Sequence, residues 1–152
     1  MSENLLRVQP IRNGTVIDHI RAGRGRKILD ILGLSDSGTT ISLLLNVQSK
    51  KQKSKDIIKV EDRELDENEI EKLALISPNA KVNIVRNYSV AEKKKVEIPS
   101  FILSIVHCPN GNCVSNNERG VSSKFKLIDE KTHQIQCTYC GRKIEEDQLI
   151  FL

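Results

Sequence analysis

Apolar and polar residues alternate along much of the first hundred residues, and this alternation predicts short β-strands with one buried face. The turn Arg12-Asn13-Gly14 would join the first two strands. The predicted strands comprise residues 6–11, 15–20, 40–47, 56–61, 81–85 and 88–91. A lysine-rich loop separates the third strand from the fourth.

Two further segments have helical periodicity. Residues 25–32 place aliphatic side chains on one side, and Gly33 would end that helix. The second helix begins near Asp66, which has capping-box spacing to Glu69, and it ends before Pro78. Two helices among about six strands predict an α+β fold, in which one antiparallel sheet carries the helices on one face. The ferredoxin-like arrangement is the expected form of this fold.

All four cysteines lie in the last third of the chain, spaced C-x4-C and C-x2-C with 23 residues between the pairs. Two close pairs of thiols are typical of a tetrahedral zinc site, since a short turn can present two sulfur atoms to one ion. Four thiolates leave no position for water, so the metal would be structural. The predicted metal ligands are Cys108, Cys113, Cys137 and Cys140.

Other interpretations of the cysteines fit less well. A redox-active pair at Cys137 and Cys140 would leave Cys108 and Cys113 without a role. His107 and His133 lie close in sequence but would meet a coordination shell that is already full.

The last fifty residues are too few to form a stable core without support, and zinc would supply the missing folding free energy. Their short apolar segments predict a small antiparallel β domain that resembles a zinc ribbon. A charged run that ends at Pro99 marks the boundary. We therefore expect two domains, residues 1–98 and 99–152.

Composition restricts the functional classes. The 152 residues include 24 Lys and Arg against 20 Asp and Glu, and the resulting charge of +4 belongs to the first hundred residues. Five aromatic residues offer few surfaces for base stacking, which disfavours binding to single-stranded nucleic acid. There is neither a signal-type segment nor an apolar run of membrane-spanning length, so we expect a cytoplasmic location and no membrane partner.

No motif of a known catalytic type occurs, whether a nucleophile elbow, HExxH, a Walker A loop or GxGxxG. Asp18 and His19 are adjacent, but neighbouring residues of a regular strand point to opposite faces. Basic residues instead form separate groups, which are either a solvated face or a polyphosphate site. These groups are Arg21 to Lys27, Lys50 to Lys59 and Lys93 to Lys95.

The order of a basic α+β lobe and a four-cysteine lobe resembles the regulatory chain of aspartate carbamoyltransferase, an enzyme of pyrimidine biosynthesis. The resemblance covers essentially the whole chain. Its most specific segments are Gly14-Thr15-Val16-Ile17-Asp18-His19-Ile20 and Cys108-Pro109-Asn110-Gly111-Asn112-Cys113; others are 55–61 and 82–90.

The resemblance implies a non-catalytic subunit. Its N-terminal domain would bind CTP, UTP and ATP as allosteric effectors and pair with a second copy, while the zinc domain would dock on catalytic chains. By position, Asp18 and Lys59 would contact the ribose, Lys93 and His19 the triphosphate, and Lys55 the adjoining region. The implied base pocket consists of Val8, Gln9, Ile11, Val16, Asn83, Val85, Tyr88 and Val90.

Two positions depart from the family pattern. Gln9 stands where bacterial relatives carry an acidic residue, and Pro10 follows it without a backbone donor. Gly141 stands where they carry a glutamate that contacts the catalytic chain, so that contact is either replaced by Arg142 or Lys143 or lost. Two other functions are alternatives to that of a regulatory chain: a basic zinc-ribbon protein that binds RNA or DNA and, less favoured, a small zinc enzyme.

Overall fold

The computed structural model describes residues 10–48, 50 and 53–152. The chain forms two compact units. One consists of the chain up to Asp66 together with Asn79–Val96, and the other of Glu67–Pro78 together with Glu97–Leu152. These units place the segment 67–78 with the C-terminal residues. The division into domains 1–98 and 99–152 remains a prediction.

The first unit is built on a five-stranded antiparallel sheet. Its elements are β1 (Gly14–Arg21), α1 (Gly25–Ile31), β2 (Ile41–Gln48), β3 (Ser54–Glu61), β4 (Lys81–Arg86) and β5 (Ser89–Lys94). The strand order is β2-β3-β1-β4-β5. With α2 (Glu67–Ile76) between β3 and β4, the order of elements along the chain is that of a ferredoxin-like fold followed by one extra strand. The predicted α+β class is confirmed.

Most predicted elements lie within three residues of the observed ones. The exception is the strand over residues 6–11, of which 6–9 lie outside the described residues and 10–11 are not in a strand. Helix α1 ends before Gly33, whose φ of 63° is the left-handed conformation that a helix stop requires.

One face of the sheet forms the core of the first unit. Ile17 on β1, Ile58 and Val60 on β3, and Val82 and Ile84 on β4 are at most 1% exposed. Positions between them on each strand are only half-buried. This alternation leaves a second, more accessible face, which we call the open face.

A buried carboxylate links three segments of this unit. Asp56 is fully buried, and its Oδ2 accepts hydrogen bonds from the backbone N–H groups of Gly23 (3.0 Å) and Gly25 (2.9 Å). Its Oδ1 accepts from the N–H of Asn46 at 3.0 Å. Asp56 therefore holds the start of α1 and the bulge of β2 against β3. A side chain at Gly25 would meet Leu43 and Asp56 within 3.1 Å, so glycine is required there.

The second unit contains α2 and a four-stranded antiparallel sheet. The strands are β6 (Phe101–Leu103), β7 (Lys124–Asp129), β8 (Gln134–Cys137) and β9 (Lys143–Ile144), paired in chain order, and a one-turn helix α3 covers Val114–Asn117. Phe125 is fully buried at the centre, and Leu75 of α2 belongs to the same cluster. Three of the four cysteines are also part of it, so the turns that carry the cysteines and the core form one body.

Candidate functional site

The register of the first sheet brings several predicted site residues into one row. Val16 of β1 pairs with Lys59 of β3 on one side and with Asn83 of β4 on the other. Asn83 in turn pairs with Lys93 of β5. Since directly paired residues of antiparallel strands project from the same face, these four side chains share the open face. Three strand spacings, about 14 Å, separate the strands of the two lysines.

A second row on the same face continues the site toward the turn between β4 and β5. Val85 pairs with Gly14 and with Val90, which is half exposed. Tyr88 lies in the turn with a φ of 66°, the residue is 68% exposed, and its N–H donates to the Arg12 carbonyl at 2.9 Å. The Asn87 N–H donates to Asn13 Oδ1, so this turn is fixed to the loop before β1.

Asp18 occupies the next outward position of β1. It forms an ion pair with Lys55 of β3, with Nζ and Oδ1 2.9 Å apart. Partial burial raises the pKa of Asp18, but the hydrogen bond and charge of Lys55 and the backbone N–H of His19 outweigh it, so the pKa lies below 3.8. Two predicted site residues therefore pair with each other. Lys81, opposite Asp18 on β4, was not predicted and is revealed only by the register.

His19 breaks the regular alternation of β1. The register shifts between Ile17 and Ile20, and His19 has a φ of 55°. Its backbone N–H donates to Asp18 Oδ1 at 2.6 Å, so the backbone of His19 contacts the neighbouring carboxylate. His19 lines a pocket at the end of the strand. A bulge is set by strand pairing, and the alternation pattern did not predict it.

The remaining members of the predicted nucleotide set are placed less completely. Ile11 is buried, next to the loop that holds the Tyr88 turn. Val8 and Gln9 lie outside the described residues. The described members, Ile11 aside, all lie on the strands of the first sheet or on the turn between β4 and β5.

The four cysteines converge in the second unit. Their sulfur atoms all lie within 4.8 Å of one another, and two pairs, Cys108 with Cys140 and Cys113 with Cys137, are 3.6 Å apart. Four thiolates around an ion at 2.3 Å would be about 3.8 Å apart at the corners of a tetrahedron. The cluster therefore fits a tetrahedral metal ion, and neither histidine of this unit belongs to it among the described residues.

The thiols of this cluster differ in how readily they ionise. Burial raises the pKa of Cys108 to about 12. Burial also raises the pKa of Cys140, but hydrogen bonds from the Arg142 N–H, from Asn110 and from the neighbouring thiols outweigh it and lower the value to about 7. A metal ion would bind all four as thiolates, so its binding would release the protons of these thiols.

Asparagine side chains and one glycine shape the two metal-binding turns. Asn116 Nδ2 donates to the carbonyls of Cys108 (2.9 Å) and Asn110 (2.7 Å), and Asn117 Nδ2 donates to those of Gly111 and Cys113. Gly141 has a φ of 79°, and its N–H donates to the Cys137 carbonyl. No pattern in the sequence indicates the role of Asn116 and Asn117, because that role depends on α3 folding back over the first turn.

Within the described residues, no helix is long and apolar enough to cross a bilayer.

Comparison with protein families gives two matches. Residues 6–97 match the family described as "Aspartate carbamoyltransferase regulatory chain, allosteric domain", and residues 100–150 match "Aspartate carbamoyltransferase regulatory chain, metal binding domain".

Individual relatives can be aligned with this chain over nearly its whole length. Proteins named "Aspartate carbamoyltransferase regulatory chain" are 46% identical in Methanothermobacter thermautotrophicus and 48% in Pyrococcus horikoshii. The one from Thermococcus gammatolerans is 50% identical. Each alignment covers 95% of this chain and 92%, 96% and 96% of the respective relative.

Proposed function

The chain belongs to the family of aspartate carbamoyltransferase regulatory chains, and we propose that it binds CTP, UTP and ATP on the open face and transmits their effect to catalytic chains through a zinc-bound second domain. As a member it is a non-catalytic subunit with an allosteric and a metal-binding domain. What we propose beyond family membership is that the chain binds these nucleotides, that it binds zinc, and that the second domain transmits the effect to the catalytic chains.

The single observation that carries the nucleotide site is the row formed by Lys59, Val16, Asn83 and Lys93. An apolar side chain and an amide lie between two lysines on an accessible face. A base could pack on the valine and hydrogen-bond to the amide, while the ammonium groups attract ribose and phosphate oxygens. The core face of the same strands differs, since its central paired positions are buried and mainly aliphatic, with Ile17, Ile58 and Ile84 fully buried.

Each residue can be given a role within this geometry. Asp18 and Lys59 would hold the ribose hydroxyls, and Lys93 and His19 the phosphates. The apolar side chains of Val85 and Val90, beside Tyr88, would line the base pocket together with Ile11, Val8 and Gln9. Lys55 neutralises Asp18. A ribose hydroxyl that bonds to Asp18 would compete with Lys55 and release its ammonium toward the phosphates.

The second unit fits the role of an adaptor. Four thiolates satisfy zinc completely, so the ion would hold the fold together and leave no position for a substrate. Exposed residues flank both metal-binding turns, and Asn112, Arg142 and Lys143 are candidates for contacts with a catalytic chain. We propose that this surface docks on that chain.

We also propose that the first unit pairs with a second copy of the chain. Strand β2 lies at an edge of the sheet and carries Leu45, which is 43% exposed. An edge strand with an exposed apolar side chain is a surface that a partner commonly covers. Effector binding would then shift activity by its differential affinity for two arrangements of the assembly, with a coupling of about 1–3 kcal/mol.

Lys93→Ala tests the nucleotide site. We expect the variant to lose about 1.5–3 kcal/mol of binding free energy for CTP and for ATP alike, because one charged hydrogen bond to phosphate is removed. Titration calorimetry on the full chain measures both affinities. Lys94→Ala is the matched control, since Lys94 pairs with buried Val82 and therefore projects from the opposite face of β5.

Reconstitution tests the rest of the proposal. The chain is mixed with the catalytic chains of aspartate carbamoyltransferase, and activity is measured with and without CTP and ATP. We expect an assembly whose activity responds to the nucleotides. Unchanged affinities in Lys93→Ala would remove Lys93 from the site, whereas failure to assemble, or recovery of nucleic acid with the purified chain, would favour the nucleic-acid alternative.

A further inference from the structure

Ser115 brings a hydroxyl group to one of the four predicted metal ligands. Its Oγ lies 3.2 Å from Cys113 Sγ, and by distance alone either atom could donate the hydrogen bond. Ser115 is the second residue of α3 and is half-buried, whereas Cys113 is only 1% exposed. A hydroxyl of α3 therefore contacts the sulfur atom of a buried ligand.

Metal binding decides the direction of this hydrogen bond. A cysteine binds a metal ion as a thiolate, which has no proton to donate and can only accept. The Ser115 hydroxyl must then be the donor. A hydrogen bond to an ionised acceptor is roughly twice as strong as one between neutral groups, so the contact becomes stronger when Cys113 is a metal ligand.

Hydrogen bonds hold the backbone beside Ser115 in place. The Cys113 N–H donates to the Asn110 carbonyl at 3.0 Å, and the Cys113 carbonyl accepts from the Asn116 N–H at 2.9 Å. Asn117 Nδ2 also donates to the Cys113 carbonyl, at 2.8 Å. Because the turn is fixed in this way, little conformational entropy is lost when the hydroxyl binds the sulfur.

A donor at this place would help to retain the metal ion. The thiolate is the nucleophilic form of cysteine, and a ligand sulfur leaves its metal when a proton or another electrophile bonds to it. A hydroxyl that donates to the sulfur withdraws electron density from it and so slows such an attack. Loss of an outer hydrogen-bond partner of a metal ligand typically lowers metal affinity by about 10–100-fold.

We propose that Ser115 is a positioning residue of the metal site, and that its hydroxyl donates to the Cys113 thiolate and slows release of the ion. The proposal rests on the zinc site proposed above and does not depend on the nucleotides. It adds to the four cysteines a residue that acts on the metal through one of them.

The first measurement is the rate of zinc transfer from the loaded full chain to an excess of a chromophoric chelator. We compare the wild type with Ser115→Ala and with Ser115→Thr, which keeps a hydroxyl. Ser100→Ala is the matched control, since Ser100 is an exposed serine that precedes β6. We expect Ser115→Ala to release zinc about tenfold faster, and the other two variants to stay within about twofold of the wild type.

The second measurement separates the hydrogen bond from packing. With cobalt in place of zinc, the thiolate-to-metal charge-transfer band reports the electron density on the sulfur atoms. We expect this band to move to longer wavelength in Ser115→Ala and to stay in place in Ser115→Thr and Ser100→Ala. Circular dichroism of each loaded variant checks that the fold is retained.

The outcomes distinguish this proposal from the zinc site on which it rests. If the wild type binds zinc and Ser115→Ala releases it at the same rate, the role of Ser115 is refuted while the zinc site stands. The role is also refuted if Ser115→Ala keeps the wild-type cobalt band, if Ser115→Thr fails to restore slow release, or if Ser100→Ala releases zinc equally fast. A wild type that binds neither metal overturns both proposals.

Discussion

Replacing Asp56 by asparagine tests whether one buried carboxylate organises the first unit. The side chain keeps its size, but one of its two oxygen acceptors becomes an amide nitrogen. Three backbone N–H groups, those of Gly23, Gly25 and Asn46, depend on these two oxygens. At least one of them must lose its acceptor in the variant.

The expected loss follows from that geometry. A hydrogen bond to a charged group contributes about 1.5–3 kcal/mol, and a buried donor left without an acceptor adds a penalty of similar size. Because the freed N–H can reach water by a small opening of the turn, we expect Asp56→Asn to lower the free energy of unfolding by about 2–4 kcal/mol. For a chain of this length the midpoint of thermal unfolding would fall by roughly 6–12 °C. Asp56→Ala, which leaves all three N–H donors without their acceptor, should lower the free energy of unfolding further.

Two measurements check this reasoning. Thermal unfolding followed by circular dichroism gives the change in stability, and amide hydrogen exchange gives its location. Exchange should accelerate first at Gly23, Gly25 or Asn46. Asp30→Asn is the control, since Asp30 is an exposed carboxylate on α1 and its replacement should change stability by less than about 0.5 kcal/mol. If Asp56→Asn unfolds at the same midpoint temperature as the wild type and the three amides exchange at unchanged rates, the carboxylate does not stabilise this unit.

Three further predictions concern the metal, an ion pair and a close backbone approach. Stripping the metal with a strong chelator should unfold the second unit, since zinc binding supplies about 10 kcal/mol or more, and a retained slow exchange of the Phe125 amide would contradict this. The depressed pKa of Asp18 means that its ion pair stabilises the fold above pH 3.8 and is lost as the pH falls through the folded value. Lys55→Met should therefore raise the pKa of Asp18 in a carboxyl NMR titration, and an unchanged value would exclude Lys55 as the cause. Gly14→Ala should lower the free energy of unfolding by at least about 2 kcal/mol, because its Cβ would lie 2.0 Å from the Val60 carbonyl oxygen. Gly111→Ala is the control and should be close to neutral, since a Cβ there would meet open space and Gly111 has no positive φ. Equal stabilities of the two variants would refute the steric argument.

Agreement between sequence and structure is best where the signal is local. The spacing of the two cysteine pairs predicted a tetrahedral cluster, because one short turn holds the two cysteines of each pair close together. In the structure the four sulfur atoms do converge. The strand over 15–20 and the helix that ends before Ser77 were predicted by periodicity and caps, which depend only on neighbouring residues.

The same local signals do not determine which residues meet across strands. The bulge at His19 depends on how β1 pairs with β3, and alternation alone predicted a regular strand there. The pocket that His19, Arg21 and Lys53 line depends on the turn that Asp56 holds from another strand. In the sequence, Arg21 and Lys53 are only members of basic groups, for which a solvated face was the other interpretation.

The sequence by itself determined the kinds of element, the cluster of four cysteines and, through resemblance, the family. Only the tertiary structure decided that Lys59, Val16, Asn83 and Lys93 lie in one row, and that α2 belongs with the C-terminal sheet. The physical reason is that periodicity, capping and metal-ligand spacing are properties of consecutive residues. Strand register and helix packing are instead decided by which distant apolar faces are buried together.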